Sequence, residues 1–313
     1  MDDKAIPGTA TAARQGAVLH GPLLRAATYA AVSVAFTLIA VKLAAFWLTD
    51  SVAILSVLID SVLDGLASIV NLLAVRHALQ PADAEHRFGH GKAESLAGLG
   101  QSAFIAGSAL FLIFISVQRL FRPQMIENSG IGIAVLVFSI VITVFLVLFQ
   151  RHVVRRTGSI AIAADSLHYR SDVFLNCGVI AALGLSAGLG WTYADPLFAI
   201  GISAVVMYSA WRILRVAFDS LMDREFPDEV REQIKSIALA HPEVIDLHDL
   251  RTRKSGTDAF IQLHLELAAE ISLVHAHEIA DEVEANIREA FPDSEVIIHQ
   301  DPEGILEERQ AFH

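Results

Sequence analysis

Long apolar runs alternate with short polar segments over the first two thirds of the chain. Six runs are long enough to cross about 30 Å of hydrocarbon. They cover residues 26–48, 52–76, 95–120, 130–149, 160–188 and 194–214. Polar residues interrupt the second and fifth runs. The pattern predicts an α-helical membrane protein with six transmembrane helices.

In the last third of the chain the segments with helical or strand-like spacing are shorter. Residues 228–240 and 272–290 have helical spacing, and Ser272 opens the second of these segments. Three segments alternate between apolar and polar residues as strands do; they are residues 244–253, 258–267 and 294–301. The order predicts a small open-faced α+β sandwich with the succession α-β-β-α-β.

These patterns divide the chain into four parts. Residues 1–21 have neither the apolar core nor the cleavage site of a signal peptide, and we interpret them as a disordered polar tail. Residues 22–218 form a transmembrane domain of six helices, and residues 219–303 form the small α+β domain. Residues 304–313 are a C-terminal tail.

The charge distribution supports this division. The net charge of −12 is uneven, since residues 1–218 hold 12 acidic and 15 basic residues while residues 219–313 hold 23 acidic and 8 basic residues. The sequence has no basic patch of the kind that binds nucleic acid, so a nucleic-acid partner is not expected. The single cysteine, Cys177, excludes an intrachain disulfide framework and a cysteine-rich zinc module.

Basic residues in the short flanking segments give the orientation. One side of the membrane has only Arg119 and Arg122 in its loops. The other side has many more: Lys4, Arg14, Arg25, Arg76, Arg87, Lys92, Arg151, Arg155 and Arg156. By the positive-inside rule both termini and the loops at 77–94 and 150–159 are cytoplasmic.

Two of the apolar runs carry polar stripes. In the second run the stripe repeats at i, i+4, i+8 and i+11, and its members are Asp60, Asp64, Ser68 and Asn71. In the fifth run it repeats at i, i+3, i+7 and i+11, with Asp165, His168, Asp172 and Asn176. Each stripe occupies one helical face. A carboxylate at bilayer depth costs about 2.5–3.5 kcal/mol, so the stripes require a function.

If the stripes face each other, they bring together three carboxylates and one imidazole: Asp60, Asp64, His168 and Asp172. Such a set suits tetrahedral Zn²⁺, with Fe²⁺, Co²⁺, Mn²⁺ and Cd²⁺ as alternatives. The absence of thiolate and thioether ligands argues against Cu(I). A single intramembrane aspartate can simply bond to a serine or cap a broken helix, but four ionisable residues would incur the charge cost four times.

Two further polar residues in the membrane runs have plainer interpretations. Asp165 is one turn nearer the cytoplasm than His168, and it is either a helix-start carboxylate, which we favour, or part of the path into the site. Lys42 in the first run is interpreted as a snorkelling or packing lysine.

The segment "PADAEHRFGHGKAE" (81–94) has metal-ligand spacing outside the membrane. Asp83, His86 and His90 follow the pattern D-x2-H-x3-H, which lets one short loop surround a single metal. Gly89 and Gly91 give this loop freedom to turn. A lone loop histidine is usually solvated, whereas three residues in this spacing favour a site.

Several histidines of the acidic tail can also converge. His264 lies on the polar face of its strand, and His299 and Asp301 share a face two residues apart. His248 begins the first strand, and His277 lies on the intervening helix. Taken one by one, each is as readily a surface residue as a ligand. Gathered by a sheet, they form a cluster with a bridging carboxylate, typical of a binuclear zinc site.

The motifs "DSVLD", "HYRSD", "PADAEHRFGHGKAE", "HDLRTR" and "VIIHQDP" together resemble those of the cation diffusion facilitator family, and most closely its bacterial zinc/iron efflux antiporters. The resemblance covers residues 22–303. It implies a homodimer of six-helix protomers in the inner membrane that exports Zn²⁺ in exchange for protons by alternating access.

The resemblance also implies residue roles. The transport site corresponds to Asp60, Asp64, His168 and Asp172, and the loop site to Asp83, His86 and His90. The cytoplasmic binuclear site, with a regulatory or dimer-stabilising role, corresponds to His248, His264, His277, His299 and Asp301. Lys92 and Asp223 correspond to an ion pair at the dimer hinge.

Two other functions use the same residues. An intramembrane metal enzyme would activate water on the carboxylate-bound metal, but the sequence has no HExxH motif and no spare general base beside the site. A membrane-anchored metal sensor would not need charged stripes in two membrane runs. The sequence therefore predicts a secondary active transporter, not an enzyme.

Overall fold

The computed structural model describes residues 12–49, 52–121, 130–189 and 193–304. In these ranges the chain begins with six long helices: α1 (Ala12–Thr49), α2 (Val52–Ala78), α3 (Lys92–Phe121), α4 (Gly130–Thr157), α5 (Ile160–Leu189) and α6 (Ala194–Leu221). Shorter elements follow: α7 (Asp228–Leu239), β1 (Asp246–Ser255), β2 (Asp258–Leu267), α8 (Leu273–Ala290) and β3 (Ser294–Pro302).

Five of the long helices, α1 to α4 and α6, are long and apolar enough within the described residues to span a membrane. α5 has 30 residues, which is also sufficient length. Its charged residues Asp165, Arg170 and Asp172 lower its apolar content. The polar residues that interrupt the fifth apolar run therefore lie within one continuous helix.

The beginning of α1 differs from the expectation. The helix includes Ala12 to Gly21, a segment that we predicted to be part of a disordered tail. Alanine, arginine and glutamine in this segment have high helix propensity, so a polar composition did not prevent helix formation. Residues 1–11 of the predicted tail lie outside the described residues.

The chain divides into two compact units. The helical unit comprises residues 22–80 and 92–218, and in it α5 packs against α2, α3 and α4. Large side chains such as Trp47, Leu66 and Phe145 point outward from the helices and are exposed. Because lipid tails are as apolar as these side chains, an exposed apolar surface is what a membrane helix requires.

The second unit contains the sheet, with the strand order β1-β2-β3. β1 and β2 are antiparallel, while β2 and β3 are parallel and connected through α8. The apolar face of the sheet, including Ile261, Leu263 and Leu265, packs with Ile234 of α7 and Val283 of α8 in one core. The predicted α-β-β-α-β order is confirmed.

The sheet aligns its histidines because of its register. His248 of β1 lies opposite His264 of β2, and His264 lies opposite His299 of β3. A β-bulge follows His248, where Asp249 has a φ of 48°. A bulge shifts the alternation of side chains along one strand, so the polar face of β1 was not readable from the sequence.

The loop at residues 81–91 packs within the same unit as the sheet. The ring of Phe88 meets the ring of Phe260 edge to face, with centroids 5.7 Å apart. The guanidinium of Arg253 lies 4.6 Å from the centroid of each ring. Gly91 approaches the backbone of the β1–β2 turn so closely that a Cβ would lie 2.3 Å from the carbonyl oxygen of Ser255.

Gly91→Ala is expected to release this loop from the sheet. The added methyl group meets backbone atoms on the turn, which do not move as a flexible side chain does, and such overpacking costs about 1–3 kcal/mol. Hydrogen–deuterium exchange of the full-length protein should show faster exchange in residues 81–91 and 251–257.

Gly100→Ala is the matched control, because a Cβ at Gly100 meets nothing within 4 Å. It should leave exchange in both segments unchanged. Equal exchange in wild type and Gly91→Ala would show that the loop is not held by this contact.

Candidate metal sites

Ligand atoms from α2 and α5 converge in the helical unit. Nε2 of His168 lies 2.8 Å from Oδ1 of Asp64 and 3.9 Å from Oδ2 of Asp172. The ligand atoms of these three residues all lie within 4.8 Å of one another. The side chain of His168 is 10% exposed, while those of Asp64 and Asp172 are 23% and 34% exposed, so the group lies between the helices with its carboxylates only partly covered. The two polar stripes therefore do face each other.

Asp60, the fourth predicted ligand, lies one turn before Asp64 on α2 and is exposed. Its ligand atom is not part of the compact group of three. Because residues at i and i+4 share a helical face, Asp60 extends the group along α2. Its participation in metal binding stays a prediction.

Asp165 has a structural environment that the sequence did not indicate. It is fully buried, and its two carboxylate oxygens accept hydrogen bonds from Nε2 of Gln101 at 3.0 Å and Nε2 of Gln150 at 2.6 Å. The start of α5 is instead capped by Ser159, whose Oγ accepts from the N–H of Ile162. Asp165 thus connects α3, α4 and α5, and the helix-start interpretation was wrong.

Lys42 of α1 is also buried, with 8% of the residue exposed. Its Nζ donates to Oγ of Ser61 at 2.5 Å, so it packs against α2 and does not snorkel. Ser61 lies three residues before Asp64, on the same side of α2. The position of the polar Ser61 on the same helical face as Asp64 was the feature of the sequence that could have predicted this contact.

The predicted loop ligands are close together. Asp83 accepts backbone hydrogen bonds from His86 at 2.6 Å and Glu85 at 2.9 Å, and these bonds hold the pKa of its carboxyl below the ordinary value. Nε2 of His90 lies 3.4 Å from Oδ2 of Asp83, and Nδ1 of His86 lies 3.5 Å from Oδ1. Gly89 has a φ of 76°, which confirms its role in the turn. The loop offers two imidazoles and an ionised carboxylate.

Three histidines of the sheet surround Asp301. Oδ2 of Asp301 lies 2.8 Å from Nδ1 of His264 and 3.2 Å from Nε2 of His248. Its other oxygen, Oδ1, lies 3.1 Å from Nε2 of His299. Nδ1 of His248 is buried and has no hydrogen-bond partner within the described part of the chain. The two oxygens therefore serve different imidazoles, as in a carboxylate that bridges two metal ions.

His277 is the predicted ligand that the sheet does not gather. It lies on α8, its side chain is 69% exposed, and its Nε2 is 3.7 Å from Oδ2 of Asp281. The described ligand group of the sheet consists of His248, His264 and Asp301, next to His299. Within one protomer His277 therefore lies at the surface of the domain, outside this ligand group.

The predicted hinge residues fall in different units. Lys92 begins α3 in the helical unit, whereas Asp223 follows α6 in the sheet unit. Within the sheet unit, Oδ1 of Asp223 lies 3.7 Å from the guanidinium of Arg253. The pairing of Lys92 with Asp223 stays a prediction.

Two protein-family models match this chain. The model of the cation efflux transmembrane domain matches residues 28–222. The model of the cation efflux protein cytoplasmic domain matches residues 226–303. The first match covers the helices with the polar stripes, and the second covers the sheet with the histidine cluster.

Curated relatives match over nearly the whole chain. The cation-efflux pump FieF of Klebsiella pneumoniae is 52% identical over 287 residues, 92% of this chain and 95% of the relative. FieF of Salmonella choleraesuis is 52% identical over 283 residues, 90% of this chain and 94% of the relative. A solved structure, the metal-bound C-terminal domain of the CzcD transporter from Thermotoga maritima, is 29% identical with a TM-score of 0.25, covering 25% of this chain and 93% of that chain.

Asp301 contacts three histidines of the sheet, and its removal should therefore change metal binding there. Asp301→Asn removes the negative charge that faces His248, His264 and His299, so the full-length protein should bind fewer metal ions. If the carboxylate bridges two ions, the loss is about two ions per protomer, whereas His299→Ala loses about one. Titration calorimetry with Zn²⁺ measures the number bound.

Glu270→Gln is the control, since Glu270 is an exposed carboxylate of the same unit. It should leave the number of bound ions unchanged. An unaltered stoichiometry in Asp301→Asn would exclude a bridging role for this carboxylate.

Proposed function

Because the chain belongs to the cation diffusion facilitator family of cation efflux proteins, we propose that it exports Zn²⁺ from the cytoplasm in exchange for protons by alternating access. The chain is a multi-pass membrane transporter and not an enzyme.

The observation that carries the proposal is the group formed by Asp64, His168 and Asp172. It combines ligands from two membrane helices, so a relative movement of α2 and α5 changes the geometry around a bound ion. With Asp60 as the fourth ligand, the set is three oxygens and one nitrogen. Zn²⁺ accepts such a tetrahedral set, and Fe²⁺, Cd²⁺, Co²⁺ and Mn²⁺ are alternative substrates.

Exchange for protons follows from the chemistry of the ligands. Carboxylates and imidazole must be unprotonated to bind a metal ion, so metal and protons exclude each other. Three carboxylates close together in a low-dielectric region repel one another when they hold neither. Metal that enters from the cytoplasm therefore displaces protons, and protons replace it after outward release. This exclusion couples the two flows in opposite directions.

The loop site is proposed to assist transport without being the transport site. Asp83 and His86 are about half exposed, on a loop outside the apolar helices, so metal bound there remains accessible to water. We assign this site a relay or tuning role. Its packing against Phe260 and Ser255 gives it a direct connection to the sheet.

The sheet site is proposed to regulate the transporter or stabilise a homodimer. Two acidic units repel each other until bound cations neutralise them. His277 is exposed and outside the group of its own protomer, so we propose that it completes the binuclear site within the dimer. Lys92 and Asp223 form the proposed hinge pair that couples the two units.

The positive-inside rule supports the proposed orientation in the cell inner membrane. Arg76 and His77 end α2, and Arg155 and Arg156 end α4. These helix ends are therefore assigned to the cytoplasmic side, together with both termini. The loop site and the sheet site are then both exposed to cytoplasmic metal.

Substitutions in the membrane group test the proposed exchange. Asp64→Ala should abolish transport of Zn²⁺ into proteoliposomes, because it removes the carboxylate that joins α2 to His168. His168→Ala should weaken binding by about tenfold or more and reduce the protons released per ion bound. Metal affinity should fall as the pH decreases from about 7.5 to about 5.5, because protons compete with the metal ion for the coupled ligands.

Proton release is best measured in a His86→Ala, His264→Ala background, which disables the other two groups. His152→Ala, an exposed histidine at the end of α4, is the matched control and should behave as wild type. Zn²⁺ binding to the membrane group with no proton displaced at any pH in this range would contradict proton exchange.

The loop assignment has a separate test. His86→Ala should lower the transport rate or the apparent affinity and still allow exchange, because the membrane ligands remain. Glu85→Ala is the control on the same loop, since the contact of Glu85 with Asp83 comes from its backbone N–H. A complete loss of exchange in His86→Ala, equal to that of Asp64→Ala, would place the loop ligands in the transport step itself.

A further inference from the structure

Lys42 is a buried cation that metal coordination does not use. It is 8% exposed on α1, a helix with no aspartate or glutamate between Ala12 and Thr49. Its hydrogen bond goes to the neutral hydroxyl of Ser61. An ammonium inside a membrane domain is costly unless negative charge lies near it. The balancing charge must therefore come from another helix.

The carboxylates nearest to this contact along α2 belong to the proposed transport site. Ser61 directly follows Asp60 and lies one turn before Asp64, whose ligand atom groups with that of Asp172 on α5. The bond to Ser61, three residues before Asp64, holds the ammonium beside these ligands and leaves the carboxylate oxygens available to a metal ion. Lys42 thus faces the site without occupying a ligand position.

We infer that Lys42 is a fixed counter-charge that makes the transport site electroneutral when a divalent cation is bound. This inference rests on the proposed transport site. A metal ligand must be deprotonated, so the three carboxylates contribute −3 in the loaded state while His168 is neutral. Lys42 contributes +1, and a divalent cation contributes +2. The loaded site then has no net charge.

Neutrality has two consequences for transport. A neutral loaded site does no work against the membrane potential when it reorients, whereas one net charge does work of about 2.3 kcal/mol per 100 mV. The site also selects valence, because a monovalent cation leaves it negative and a trivalent cation leaves it positive. Lys42 is accordingly a specificity-determining residue and not a ligand.

Lys42→Gln tests the charge while it retains an N–H donor for Ser61. It should bind Zn²⁺ more tightly, by about tenfold or more, because a repelling cation has been removed from the site. A loss of packing alone would weaken binding, so the direction of the change separates the two roles. Affinity is measured in the His86→Ala, His264→Ala background described above.

The decisive measurement is exchange of Zn²⁺ for radioactive Zn²⁺ in proteoliposomes with equal concentrations on both sides. When these concentrations saturate the site on both sides, the loaded site is the form that reorients, so proton steps do not contribute to the exchange. Wild type should exchange at the same rate at 0 and about ±100 mV, set by K⁺ gradients and valinomycin. Lys42→Gln should exchange about threefold more slowly at either polarity than at 0 mV, as expected for one charge crossing the field.

Two variants separate charge from geometry. Lys42→Arg retains the charge, and Ser61→Ala retains the charge but removes the hydrogen bond, so exchange should stay independent of voltage in both. Weaker binding in Lys42→Gln, or exchange independent of voltage, would overturn the role of Lys42, as would voltage-dependent exchange in wild type. Normal exchange in Asp64→Ala would instead overturn the transport site itself, and the inference with it.

Discussion

Ionisable groups inside an apolar helix need partners on other helices, and this constraint organises the helical unit. Water is absent from the hydrocarbon region, so an aspartate there must meet a donor, a cation or a proton. Asp64 meets His168 across the α2–α5 contact, and Asp165 meets amides from α3 and α4. The polar atoms thus specify which helix faces are adjacent, whereas apolar side chains pack equally well against lipid.

The two aspartates of α5 have different surroundings, and the difference separates structure from function. Asp165 has both oxygens satisfied by glutamine amides and is fully buried. Asp172 lies at 3.9 Å from His168, and about a third of its side chain is exposed. A carboxylate with all its hydrogen bonds made has little to gain from a metal ion. One with long contacts and a partly uncovered side chain can bind a metal ion and release it.

The sequence predicted what depends on local periodicity and missed what depends on contacts between elements. The polar stripes on α2 and α5 and the elements of the sheet unit follow from spacings within one segment. The Lys42–Ser61 contact depends on how α1 packs against α2. The need for glycine at position 91 depends on its close approach to the β1–β2 turn, which is more than 160 residues away in the chain. The bulge after His248 shifts the alternation of side chains along β1, and no glycine or proline in that segment indicates it in the sequence.

The sheet and the membrane helices gather their candidate ligands by opposite means. In the sheet, backbone hydrogen bonds fix His248, His264 and His299 in one register, and Asp301 contacts all three. No strand can shift by one residue without turning its histidine towards the core. In the described parts of the membrane helices, side-chain contacts join α2 to α5, so their relative position can change without breaking backbone bonds. A rigid frame suits a site that retains its metal, and a joint between helices suits one that must take up an ion and then release it.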